Sequence, residues 1–262
     1  MRRFDARSAT IVALVYGLVY LPITLVVLTS FNEATITTLP IQSYSTKWFE
    51  ALLANDRTLS SLWVSIKLGL IASVAATVLG LCAALAVTRH SFPGRRAFLA
   101  LMTFPMVAPG IVLGISLLIF VRTIGLRPGF LSLCLGHTLL ALPYCTFIII
   151  ASLARFDRNL EDAARGLGAG ELAVLRRVTL PGIASGLLGA LLFGFTISLG
   201  EFVVSFFLTS AGVTTLPIRI YSIVKVGITP EINAVSTIIL VATLLFTVAA
   251  LRLTWIQKPK GG

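Results

Sequence analysis

Glu161-Asp162-Ala163-Ala164-Arg165-Gly166-Leu167-Gly168-Ala169, continued after a short run by Val178-Thr179-Leu180-Pro181, is the long polar stretch in a chain otherwise built of apolar blocks. Leu160, Ala163, Ala164 and Leu167 recur at i, i+3, i+4 and i+7, one face of a helix, while Arg158, Asp162, Arg165 and Gly166 fall elsewhere. Asp157 is placed to cap the start of this helix, Glu161 and Asp162 sit where the helix dipole favours negative charge, and Gly168 supplies the positive φ that ends it. A second helix reads from about Glu171 to Leu180, with Val174, Leu175 and Val178 opposite Arg176 and Arg177, and Pro181 stopping it. Long inserts in compact proteins are folded and functional or else disordered, and the periodicity here predicts a folded helix pair that meets something soluble. The plainer reading is a surface helix lying on lipid headgroups.

The blocks on either side set the class. With 57% hydrophobic and 12% charged residues among 262, and a mean hydropathy of +0.98, the chain is too apolar for a soluble domain and is read as an integral membrane protein. Six blocks are long enough to cross about 30 Å of hydrocarbon as helices: Ala9 to Thr29, Leu62 to Val87, Ala97 to Val121, Phe130 to Leu153, Ile183 to Leu208 and Ala234 to Thr254. They are uniformly apolar rather than alternating with period two, which excludes a barrel. The fold class is therefore an all-α membrane protein of six transmembrane helices in one domain spanning residues 1–262. The run after Met1-Arg2-Arg3 is too long for a signal peptide and is read as a retained first span.

Charge reports orientation rather than a nucleic-acid partner, because the basic residues of this +11 chain are scattered singly between blocks. With the N-terminus inside, Arg2, Arg3, Arg7, Arg89, Arg95, Arg96, Arg155, Arg158, Arg165, Arg176, Arg177, Arg252, Lys258 and Lys260 share one side, and fewer remain outside. That places both termini and the polar helix pair in the cytoplasm. Outside, Thr46-Lys47-Trp48-Phe49 suits a membrane interface, and Leu216-Pro217-Ile218-Arg219-Ile220-Tyr221 predicts a short helix on the outer face. Pro105, Pro109-Gly110, Pro143 and Gly200 interrupt the spans, which is tolerated where neighbours satisfy the freed backbone groups.

The segment Asp162-Ala163-Ala164, then Gly168 and Val178, then Leu180-Pro181, resembles the signature of the membrane subunits of binding-protein-dependent ABC importers, in which Glu-Ala-Ala, Gly and Ile-x-Leu-Pro stand at the same spacing. Asp162 and Val178 are conservative departures. The resemblance implies the six-helix type I importer permease fold, with residues 157–181 as a coupling helix pair that docks on a cytoplasmic ATPase. Glu161, Asp162, Ala163, Ala164, Gly168, Leu180 and Pro181 are its expected coupling residues. It also implies the assembly: a homologous permease subunit, two cytoplasmic ATPase subunits holding ATP and Mg²⁺, and an extracytoplasmic solute-binding protein at a bacterial inner membrane. No Gly-rich loop ending in Gly-Lys-Ser/Thr occurs, so the chain is expected to be no enzyme itself and to hold no cofactor or metal of its own.

Of the side chains inside the blocks, Glu201 carries the sharpest expectation. An intramembrane carboxylate is costly and should face a cavity or a partner, which a cationic solute would provide. Phe202 and Tyr144 are further solute-path candidates, offering aromatic faces to an ammonium group, with Phe206 and Phe207 nearby. The competing readings for Glu201 are an ion pair with Lys67 or Arg122, or a neutral carboxyl hydrogen-bonded to backbone. His137 is read as a hydrogen-bonded bundle residue, His90 as part of a basic loop, and Cys82, Cys134 and Cys145 as small buried hydrophobes. Ser30-Phe31-Asn32, Thr46-Lys47-Trp48, Asn55-Asp56, Val224-Lys225-Val226-Gly227 and Pro230-Glu231-Ile232-Asn233-Ala234 resemble the second permease subunits of spermidine/putrescine importers, over nearly the whole chain. Those subunits carry two adjacent acidic residues in the fifth span where this chain has Gly200-Glu201. The solute stays open between a polyamine and another compound, such as an aminophosphonate or an amino-acid-like one. A secondary transporter or channel remains the alternative outside the importer class.

Overall fold

The computed structural model describes residues 6–34, 40–226, 231–241 and 243–244. These residues are helical apart from connections and two isolated β-bridges. The residues before Ser61 and those of Arg219–Leu244 form one compact unit, and Ser61–Ile218 form another.

The first unit opens with α1 (Ala6–Thr29), whose apolar stretch is exposed over most of its length, with Thr29 buried at its end. After it, Asn32 bridges to Tyr44, and Trp48 at the start of α2 (Lys47–Leu53) donates its indole N–H to the Asn32 carbonyl at 2.8 Å. Lys47 lies 5.0 Å over the Trp48 ring. A helix at Glu231–Val241, written α13 below, closes the unit. Asn233 there donates to Thr29 Oγ1 at 3.1 Å, and Asn55 donates to the Glu231 carboxylate at 3.4 Å. Polar segments scattered along the sequence thus bond to one another. The sixth expected span begins in α13, and its part beyond residue 244 lies outside the described residues.

The second unit is built on α3 (Asp56–Arg89) from Ser61 onward, α4 (Arg95–Val107), α5 (Gly110–Thr123), α6 (Phe130–Arg155), α7 (Asn159–Gly166), α8 (Glu171–Val174), a π-turn at Leu175–Thr179, α9 (Leu180–Gly182), α10 (Ala184–Gly200) and α11 (Val203–Leu208), and ends at Ile218 in the first turn of α12 (Leu216–Val226), the rest of which belongs to the first unit. At about 1.5 Å per residue α3 is about 50 Å long, more than the hydrocarbon needs, so its last turn with Arg89 projects beyond the apolar layer. α12 is the short helix expected after Thr209. Cys134 and Cys145 are buried as expected, whereas Cys82 is exposed on α3.

Two expected spans are not single helices. Ala97 to Val121 breaks at Ala108, whose φ −65° and ψ 138° are extended because Pro109 disfavours helical backbone before it, and α4 and α5 meet at 109°. The fifth block breaks at both ends: Ile183 turns the Glu171–Gly182 segment 71° away from α10, and Glu201 ends α10 before α11. Pro181 therefore does not stop its helix, which runs one residue further to Gly182.

α6 is the central helix. Its Ala141, Cys145, Ile149 and Leu153 pack with Ala76 and Ala84 of α3 and with Ile183 and Ala190 around α10. Its Leu133 and Cys134 pack with Leu68, Val121, Val204 and Leu208. Lipid gives helices no hydrophobic reason to associate, so close backbone approach between small residues has to supply the dispersion contact. At Gly136 a Cβ would lie 2.7 Å from Val204 Cγ1 and 2.8 Å from Leu208 Cδ1. Gly136→Leu is expected to destabilise the bundle by about 1–3 kcal/mol and to lower the aggregation temperature of the detergent-solubilised protein. Gly17→Leu, at an open position on α1, should leave that temperature unchanged.

Candidate functional site

α6 ends when Phe156 turns extended, and the chain enters the polar stretch. The cap position of α7 is Arg158 rather than the expected Asp157, whose Oδ1 instead accepts the Asn159 N–H at 3.0 Å in the turn leading into the helix. The left-handed Gly168 (φ 87°) ends the turn, also as expected. The second helix forms with one difference: its middle is a π-turn, an inserted residue that shifts the register of the residues after it.

Glu161 points inward rather than to solvent. It is 4% exposed, and its Oε1 accepts from Arg89 Nη2 at 2.7 Å and from the Thr179 hydroxyl at 2.7 Å. Arg158 donates from Nη2 to the Thr88 carbonyl. One carboxylate therefore joins α7, the end of α3 and the π-turn, while Arg89 Nη1 is buried without a partner among the described residues. A cavity of about 660 Å³ opens beside this junction, lined in part by Leu85, Arg89, Arg158, Glu161, Leu172 and Thr179.

The outward side is different. Asp162 and Glu171 are exposed and both pair with Arg165, at 2.9 and 2.8 Å. The Arg165 guanidinium holds the Glu171 carboxyl below the usual carboxylate range, so this pair persists above that range and is lost only as pH falls through the depressed value. At this exposure it fixes geometry more than it adds stability. Around it the expected apolar face is bare, with Leu167 90% and Leu160 54% exposed, Ala163 also exposed and Ala164 half-covered; Leu172, outside that face, is 66% exposed. Leu180 is half-buried and Pro181 exposed. An apolar strip presented to solvent on a rigid support marks a contact surface.

The solute-path candidates do not form one cluster. Glu201 lies half-buried at the break between α10 and α11, where its Oε1 accepts the Val204 N–H at 2.9 Å. One carboxylate oxygen is thus bonded to backbone, and among the described residues Glu201 makes no ion pair with Lys67 or Arg122. Phe202 stacks near Phe206, with ring centroids 5.9 Å apart. Tyr144 packs on Phe193 at 5.6 Å, and Phe193 lies eight residues before Glu201, about 12 Å along a helix. Sequence reasoning missed Arg89 and Thr179 as partners of Glu161; only the shared side of Arg89 and Glu161 in the charge pattern pointed that way.

With this geometry in place, residues 76–260 match the model of the binding-protein-dependent transport system inner membrane component family. The spermidine/putrescine transport system permease protein PotC of Haemophilus influenzae is 37% identical over 254 residues, 97% of this chain and 98% of that one. The putrescine transport system permease protein PotI of Escherichia coli K12 is 35% identical over 237 residues, 88% of this chain and 84% of its own. Among solved structures, a bacterial alginate ABC transporter in complex with an alginate pentasaccharide-bound periplasmic protein superposes with a TM-score of 0.74 at 15% identity, covering 96% of this chain and 94% of that one.

Removing one partner of a buried ion pair leaves the other charged and unpaired, at a cost of about 3–5 kcal/mol, whereas apolar replacement of both is nearly neutral. Glu161→Ala is therefore expected to strip amide-exchange protection from Asn159–Gly166, and the Arg89→Met/Glu161→Met double variant to restore most of it. Equal loss in both variants would refute the junction's role in holding α7.

Proposed function

The chain belongs to the family of binding-protein-dependent transport system inner membrane components, and from that premise we propose that it passes a polyamine, putrescine or spermidine, across the membrane. It is a multi-pass inner-membrane permease subunit of an ABC transporter with the type I importer fold. The whole chain acts as one permease domain, with residues 157–181 as its coupling region. Its partners are a homologous permease, two cytoplasmic ATPase subunits that bind ATP and Mg²⁺, and an extracytoplasmic binding protein; this chain hydrolyses nothing. Both termini and the helix pair α7–α9 face the cytoplasm.

One observation carries this reading: α7 offers Leu160 and Leu167 bare to solvent while its buried Glu161 is bonded to Arg89 of α3. A surface of that kind receives force and passes it on. Closure of the ATPase pair pushes on the leucines, and the Glu161–Arg89–Thr179 junction carries the displacement into α3 and through the π-turn into α10. The bundle then turns and admits solute from the binding protein.

Support for the solute class comes from the names of the relatives and from Glu201, flanked by the aromatic Phe202 and Phe206. A half-buried carboxylate beside ring faces attracts an organic ammonium group.

Two measurements test the parts separately. Leu167→Asp, or Gly168→Asp at the left-handed position, should leave the chain inserted yet abolish both co-purification of the ATPase and uptake; normal uptake would sink the docking role. Glu201→Gln keeps an oxygen for the Val204 N–H but removes the charge, so labelled putrescine uptake should fall about tenfold or more while the ATPase stays bound. Wild-type uptake by this variant, or none by the intact four-part importer, would move the solute to another class.

A further inference from the structure

The fifth apolar block is continuous in sequence and discontinuous in space. α10 stops at Gly200, Glu201 is extended at φ −75° and ψ 115°, and α11 resumes at Val203. Such a break leaves helical N–H and C=O groups without their usual partners, and among apolar surroundings each must be satisfied by something else. Glu201 repairs part of it: its side chain accepts the Val204 N–H, and its carbonyl accepts the Ser205 hydroxyl at 2.9 Å.

A side chain from another helix ties the two pieces together. His137, in the middle of α6 and 1% exposed, has Nδ1 2.7 Å from Ser198 Oγ, on the α10 side, and Nε2 2.9 Å from Ser205 Oγ, on the α11 side. Both serines are buried. The Ser205 hydroxyl already donates to the Glu201 carbonyl, so its oxygen is left to accept from Nε2–H, while Nδ1 and Ser198 Oγ share the second bond.

The far end of α11 is held by the same helix. The Gly129 N–H and the Ser132 hydroxyl reach the Leu208 carbonyl at 2.9 and 3.3 Å. The absence of a side chain at Gly136, next to His137, lets α11 come close enough for both contacts. α6 therefore acts as a splint across the break, with one imidazole at the fracture itself, and Glu201 is the residue between its two attachment points.

We propose that His137 is a positioning residue for transport: by tying Ser198 to Ser205 it fixes the break at Gly200–Phe202, and with it the direction from which the Glu201 carboxylate meets an organic cation. This rests on the reading that Glu201 lies on the solute path.

The test uses the complete importer in proteoliposomes, with labelled putrescine entry and ATP hydrolysis measured on the same samples. His137→Phe keeps an aromatic ring and removes both hydrogen bonds. It should lower putrescine moved per ATP about tenfold or more, the scale expected from losing two buried hydrogen bonds, while hydrolysis stimulated by the binding protein stays close to wild type. His137→Gln, whose amide reaches one serine, should recover part of the ratio. Ser198→Ala and Ser205→Ala should lower the same ratio, and they decide the matter if His137→Phe fails to assemble. Hydrolysis and uptake falling together, or a wild-type ratio in the serine and histidine variants while Glu201→Gln blocks uptake, would overturn the positioning role alone. Normal transport by Glu201→Gln would overturn the solute-path reading and this proposal with it.

Discussion

A backbone that crosses hydrocarbon finds no water, so each of its N–H and C=O groups must be satisfied within the protein. Unbroken helices meet that demand by themselves, as α3 and α6 do. α4–α5 and α10–α11 do not, and the architecture follows from how their breaks are repaired. At Ala108 the break is forced by Pro109; at Glu201 it is stitched by a carboxylate, two serines and a histidine borrowed from α6. Irregular backbone at bilayer depth is kept where protein buries it or where it lines a polar route.

α6 serves both ends of this arrangement. Its small and apolar residues bury against α3 and α10, and its N-terminal half holds α11. Beyond its C-terminus the chain emerges into the polar helix pair. Rigid packing makes the connection mechanical: a displacement applied at α7 meets a buried ion pair and a close-packed bundle, and neither yields gradually.

The helix pair shows how one short segment divides its duties by face. Glu161 faces the bundle and bonds α7 to α3 and the π-turn, while Leu160, Leu167 and Leu172 face outward with no cover. Arg165 spans Asp162 and Glu171 on the rim, shaping the surface at little energetic gain. An exposed apolar strip is costly unless a partner covers it.

Much of this was legible in residue order. Membrane class, helical spans and the paired polar helices follow from runs of apolar residues and a 3.6-residue period, both local properties of the chain. Gly168 announced its helix end because capping is decided within a few residues. Pro109 and Gly200 marked where helices stop, but not that α4 and α5 would meet at 109°, since a break sets no angle until its neighbours pack. The partners of Glu161 and His137 were beyond reach for the same reason. Arg89 lies 72 positions from Glu161, and Ser198 and Ser205 lie 61 and 68 positions from His137, separations that only the packing of α3, α6 and α10 converts into hydrogen-bond distances.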